Sequence, residues 1–209
     1  IGTMIKQTIF PKIPRIPEKG KTVVITEKLD GSNLVFFKKN GKFFVAQRNS
    51  IYEIDEIAPN TSLYAGLYDF LQEHSEEIAN ELVEGSAICG EWLAMGEIKY
   101  PFDQKYFMFA KANVDDNLKL YNIKYDHSLF IYPFASQVIP DYIGEVPIAA
   151  VLNTMPNKEM LDELYDTYEK IVDRDVEGFV IEMCGMVDKY VRMKRGKHIE
   201  YSEDDHKNA

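Results

Sequence analysis

The stretch that decides how this chain is read is "VVITEKLDGSNLVFF", Val23 to Phe37. Two apolar, β-prone runs flank a lysine, an aspartate and a glycine, so it reads as a buried strand pair with Lys28 intruding near the turn. Between Ile25 and Leu29 the amine is expected to lose part of its solvation, which favours its neutral, nucleophilic form. Gly31 lets the backbone turn sharply or lets a ligand come close, and Asp30 suits bonding to local backbone groups or orienting the amine. A snorkelling strand lysine ahead of an ordinary Asp-Gly turn would leave the same trace. The rest of the chain decides between the two.

Downstream, "NLVFFKKNGKFFVAQ" places Asn40-Gly41 between two aromatic strands, a pair that suits the positive φ angles of a type I′ hairpin turn. Upstream, "TVVIT" is a strand preceded by an extended segment carrying Pro11, Pro14 and Pro17. Apolar residues at helical spacing predict a helix from Thr61 to Glu84, capped by Thr61-Ser62, broken near His74-Ser75 and closed by Gly85. "SAICGEWLAMG", "KYFMFAKANV" and "SLFIYPFA" read as strands, and Asn157 to Val172 as a second helix. "VEGFVIEMCGMVDKYVRMKR" reads as two strands around Cys184-Gly185-Met186. The expected class is α+β, with mostly antiparallel sheets and flanking helices in one domain over residues 1–209. Residues 202–209 read as a flexible tail, and Ile1 to Thr3, ahead of Met4, as a remnant foreign to the native chain.

A formal charge of −10 argues against bulk attraction to nucleic acid or anionic membranes but leaves room for a local basic site. "PKIPRIPEKGK" and the segment Asp188 to His198, with Lys189, Arg192, Lys194, Arg195 and Lys197, run against the trend. Alternation in "YVRMKR" puts Arg192 and Lys194 on one face. Cys89 and Cys184 are too few for a disulfide framework and read as reduced core residues. No apolar run is long enough for a membrane span and no leader peptide is visible, so a soluble, cytoplasmic, monomeric protein is expected.

"EKLDGSN" resembles the nucleotidyl-lysine motif of the covalent nucleotidyltransferases, the superfamily of ATP-dependent DNA ligases, RNA ligases and capping enzymes. The other motifs have counterparts in order. "AQRNS" places Arg48 where that family keeps an arginine beyond its lysine. "ICGEWLA" is similar to the motif whose glutamate, here Glu91, contacts the ribose. "YFMFA" is similar to the segment whose aromatic, here Phe109, stacks on the purine. "VEGFVIE" matches a Glu-Gly motif, with Glu177 near phosphates and metal, and "YVRMKRG" the final basic strand at the α-phosphate. The resemblance implies an ATP-grasp-like nucleotidyltransferase domain, with Lys28, Lys194 and Arg192 catalytic and Glu27, Asn33, Arg48, Glu91, Phe109 and Glu177 binding the nucleotide. It also implies ATP with Mg²⁺ or Mn²⁺, the metal held through Glu177. Where relatives carry Lys-x-Lys in the last motif this chain has Arg192-x-Lys194, and arginine keeps its proton. The α-phosphate contact therefore falls to Lys194.

Chemistry requires such a set: triphosphate charge must be neutralised, the amine deprotonated, and pyrophosphate must leave in line. DNA ligases follow Lys-x-Asp-Gly with an arginine, whereas Ser32-Asn33 follow here. The form Glu-Lys-x-x-Gly-x-Asn resembles RNA ligases of the nick-sealing and editing type, in which the asparagine contacts phosphate. The implied partners are RNA ends or a nicked duplex, in RNA repair. The sequence ends shortly after Arg195, so no C-terminal OB-fold is expected. A small DNA ligase, a capping guanylyltransferase, and a non-catalytic nucleotide- or nucleic-acid-binding module are the alternatives.

Overall fold

The computed structural model describes residues 19–48, 50–56, 64–125 and 132–201. Its mostly antiparallel sheets and helices make the class α+β, as expected. The Pro11–Pro17 segment, the Thr61-Ser62 cap, Ile1–Thr3 and the 202–209 tail lie outside the described residues. Within the span read as one domain, the described residues pack as two units, each with its own core.

The first unit takes Gly31–Met95 and Asp103–Glu145. Its sheet runs β4 (Ser50–Glu53), β3 (Lys42–Gln47), β2 (Ser32–Lys39), β5 (Ser86–Trp92), β6 (Tyr106–Val114) and β7 (Leu120–Lys124). A short β8 (Ile143–Glu145) adds one parallel pairing at the start of β6. The β2–β3 turn is the Asn40-Gly41 hairpin, with φ of 54° and 74° at its two central residues. Helix α1 (Leu67–Glu81) lays Leu67, Leu71 and Ile78 against Leu34, Phe36, Ile88, Trp92, Tyr106 and Met108, the even-numbered face of the central strands. It starts six residues later than the spacing suggests, after Gly66 in the left-handed conformation and with no side-chain cap. It also runs unbroken through His74-Ser75. Of "SLFIYPFA", only the last four residues are described, and they form an isolated bridge from Phe134 to Leu82 instead of a strand.

The described part of the second unit lies in 19–30, 96–102 and 146–201. A four-stranded antiparallel sheet runs β11 (Met186–Val191), β10 (Gly178–Met183), β1 (Lys19–Glu27) and β9 (Ile148–Thr154). Helix α2 (Lys158–Val172) begins where Asn157 accepts the Met160 N–H at 2.8 Å, and packs Leu161, Tyr165 and Tyr168 on Val23, Ile25, Phe179, Ile181 and Tyr190. The two-residue strands β12 (Met193–Lys194) and β13 (Lys197–His198) close the described chain. β1 and β2 therefore belong to different sheets. Val23–Phe37 is not a hairpin, because each strand finds a better-matched ladder far along the sequence.

Candidate functional site

Alternation along β1 turns Val23, Ile25 and Glu27 toward α2 and Lys28 to the opposite side. Lys28 donates from Nζ to Glu177 Oε2 at 3.0 Å, with 23% and 20% of the two side chains exposed. The group nearest the amine is thus a carboxylate, not the apolar lining that the flanking Ile25 and Leu29 suggest. Burial pushes the Glu177 carboxyl above its ordinary value, and the charge of Lys28 pulls partly against that shift. The main chain fixes the pair as well: Lys28 N–H donates to the Gly178 carbonyl at 2.9 Å.

Glu177 also grips the basic segment. Its carbonyl accepts from both Arg192 N–H, at 2.8 Å, and Met193 N–H, at 3.0 Å. Burial alternates as expected from Val191 to Lys194, with Val191 and Met193 buried and Arg192 and Lys194 more open. Arg192 bonds from Nε to the Ile199 carbonyl and from its terminal nitrogen to Tyr190 and Asp162, and lies 4.6 Å over the Tyr165 ring. Lys194 is exposed.

Asp30 accepts from the backbone, but from a remote segment and not from the local groups expected. Its Oδ2 receives the N–H groups of Glu97 (2.6 Å) and Ile98 (3.1 Å). A Cβ on Gly31 would lie 2.5 Å from the Trp92 carbonyl oxygen, so the close approach this glycine permits is that of β5 to the start of β2.

The remaining candidates lie in the first unit. Asn33 and Glu91 are direct cross-strand partners on β2 and β5, and Glu91 is paired in turn with Phe107. Phe109 sits where β6 carries one residue more than β5, a bulge that re-aims its side chain. Its ring stacks parallel to Tyr125 with centroids 6.3 Å apart. Arg48 is exposed at the end of β3, and Tyr64 joins it to Asn33: the phenol accepts Arg48 N–H at 3.1 Å and donates to the Asn33 carbonyl at 2.7 Å. Asn33 Oδ1 is buried with no hydrogen-bond partner among the described residues. Leaving a buried amide oxygen unpaired costs about 1–3 kcal/mol, so this oxygen is open to a donor from water or a ligand.

Structure thus brings Lys28 together with Glu177, Glu177 with the start of the basic segment, and Asn33 with Glu91. Sequence reading missed Tyr64, Tyr100, Tyr168 and Arg174. Nothing in their spacing marks them, because each acts through a partner remote in sequence. Glu27, expected to bind nucleotide, has its carboxylate held by Arg174 and Tyr168. As a metal donor Glu177 fits, being a carboxylate beside the amine and of the hard-oxygen type that Mg²⁺ and Mn²⁺ take. The grouping Glu169, Asp175 and His198, whose ligand atoms lie within 4.8 Å of one another, contains none of the expected site residues.

Comparison with known structures gives the same architecture. The Naegleria gruberi RNA ligase with PPi matches at 19% identity and a TM-score of 0.58, over 98% of this chain and 59% of that one. A mutant of that enzyme with AMP and Mn matches at 17% identity and 0.57, over 100% and 60%, and one with ATP and Mn at 17% and 0.52, over 91% and 52%. The chain thus spans little more than half the length of these solved relatives. A search of curated proteins gives no match. No helix among the described residues is long and apolar enough to cross a membrane. The model of the RNA ligase family matches residues 21–196, nearly the whole described chain, and on that match this protein belongs to the RNA ligase family.

Proposed function

We propose that this chain is the adenylyl-transfer part of an ATP-dependent RNA ligase and that Lys28 is its nucleophile. The observation that carries the reading is the Lys28–Glu177 pair, set in the family's motifs at 3.0 Å. Lys28 Nζ attacks the α-phosphorus of ATP, the bond from that phosphorus to the bridging oxygen breaks, and pyrophosphate leaves with the electron pair. The attacking amine must be neutral, and positive charge gathered around it, from the cation and from the basic segment, disfavours its protonated form. A divalent cation, Mg²⁺ or Mn²⁺, held through Glu177 and phosphate oxygens, would supply charge neutralisation.

Lys194 balances charge on the α-phosphate. Arg192 supports it by anchoring the last hairpin to Asp162 of α2 and to Tyr190. Glu91 accepts from the ribose, Phe109 stacks on the purine, and Arg48 and the carboxamide of Asn33 serve the phosphates. The Naegleria enzyme was solved with ATP and Mn, with AMP and Mn, and with PPi, three sets that such a reaction would contain. An RNA 5′-phosphate oxygen then attacks the AMP phosphorus, the bond from that phosphorus to Lys28 Nζ breaks, and the AMP passes to the RNA end; attack by a 3′-hydroxyl on the 5′-phosphate seals the ends and releases AMP.

Intact mass after incubation with ATP and Mg²⁺ tests the first step. A gain of about 329 Da, absent in Lys28→Ala, is expected. No gain on pyrophosphate-treated protein overturns the reading, a GMP adduct from GTP points to capping chemistry, and sealing of DNA nicks alone points to a DNA ligase.

A further inference from the structure

The chain on either side of Lys28 is tied down within the second unit, at Glu27 directly before it and at Asp30 two residues after it, and one guanidinium touches both ties. On one side, the Glu27 side chain has no exposure and its carboxylate receives Arg174 through two nitrogens, at 2.5 and 2.8 Å, and the Tyr168 hydroxyl at 2.7 Å. On the other, Asp30 N–H donates to the Tyr100 hydroxyl at 2.7 Å. The Arg174 guanidinium lies 4.9 Å from the centroid of Tyr100 and 5.2 Å from that of Phe102, and the two rings stack 7° from parallel. Gly96 lets this segment close down, since a Cβ there would lie 2.4 Å from the Asp30 carbonyl oxygen.

We propose that Arg174 is a positioning residue for Lys28: by clamping Glu27 and backing the Tyr100 ring that holds Asp30, it fixes the backbone on both sides of the nucleophile. This rests on the reading of Lys28 as the nucleophile. The fork matters as much as the charge. A planar guanidinium makes two parallel bonds to a carboxylate and stacks on rings at the same time, whereas a lysine at 174 makes a single point contact and does not stack in this way. In-line attack tolerates little displacement, an error of about 1 Å costing about 100-fold in rate. The signature of lost positioning is therefore a slower chemical step with ATP binding retained.

The test follows lysyl-AMP formation by intact mass in single turnover, over a range of ATP concentrations and below the melting temperature of every variant. Arg174→Lys and Tyr100→Phe are expected to lower the limiting rate about 10- to 100-fold and to leave the half-saturating ATP concentration within about threefold. Leu161→Ala, which opens the same core without reaching either tie, lowers the melting temperature and keeps the wild-type rate. If Arg174→Lys does not fold, Tyr100→Phe, which removes one hydroxyl, decides alone. A wild-type rate in Arg174→Lys and Tyr100→Phe, or rates that track melting temperature across all variants including Leu161→Ala, overturns the proposal while leaving Lys28 as nucleophile. A wild type that forms no adduct overturns both.

Discussion

Gly178→Ala puts a methyl group where the structure has no room for one. A Cβ at this position would lie 1.9 Å from the Tyr190 carbonyl oxygen and 2.9 Å from its carbon. Favourable contact begins near 3.5 Å, so β10 and β11 must part by more than about 1 Å at this point. That opens the Gly178–Val191 pairing and moves the carbonyl that receives Lys28 N–H. Overpacking costs about 1–3 kcal/mol and each lost backbone bond about 1 kcal/mol, so a total of about 2–5 kcal/mol is expected. At about 2–4 °C per kcal/mol for a chain of this size, Tm should fall by about 5–20 °C. Thermal unfolding followed by circular dichroism measures the first effect, and adduct mass below the transition the second. A variant that melts within about 1 °C of wild type and is adenylylated at the wild-type rate would refute the steric argument.

Asn157→Ala removes the acceptor for Met160 N–H and should cost about 1 kcal/mol in urea unfolding, with Asn157→Ser recovering most of it; an unchanged midpoint would show that the cap contributes nothing. Burial pushes the Cys89 thiol up to about 12 while Cys184 is exposed, so an aromatic disulfide reagent should modify one thiol rapidly in the native protein and the second only on unfolding. Two fast thiols would contradict the packing of β5. Because burial raises Glu177 above its ordinary value of 4.5, the folded protein holds that proton more tightly than the unfolded chain. Its contribution to stability is present below the ordinary value and lost as pH rises through the raised one. Glu177→Gln should flatten that loss, and parallel Tm-against-pH curves for wild type and variant would exclude it.

Elements that carry their own local signal were readable in advance. Asn40-Gly41 specifies its turn by backbone chemistry alone, Cys184-Gly185 sits at the expected second hairpin with φ of 52° and 80°, and α2 begins at the asparagine that caps it. What the sequence hid depends on distant partners. β1 is matched to β10 more than 150 residues on, so Val23–Phe37 looked like a self-contained pair. β9, a short mixed run of apolar residues ending in Asn153-Thr154 on a sheet edge, gave no distinct period. At the candidate site, resemblance to the family's motifs, and not residue type alone, pointed to Lys28, Asn33, Glu91 and Glu177. The commitment of Glu27 to Arg174 was invisible, because nothing at position 27 encodes a salt bridge to position 174. The bulge at Phe109 was equally silent, since it arises from a mismatch in length between two strands.

The exposed Cys184 at the tip of the β10–β11 hairpin offers a practical handle. It stands at the far end of a six-residue strand from Glu177-Gly178, about 20 Å along the ladder at β spacing. With Cys89 sealed in the core, a single fluorophore or spin label can be attached there without mutagenesis. Because its hairpin is continuous in backbone with the carboxylate that meets Lys28, such a label offers a test of the proposed nucleotide binding from a distance that keeps the dye out of the chemistry.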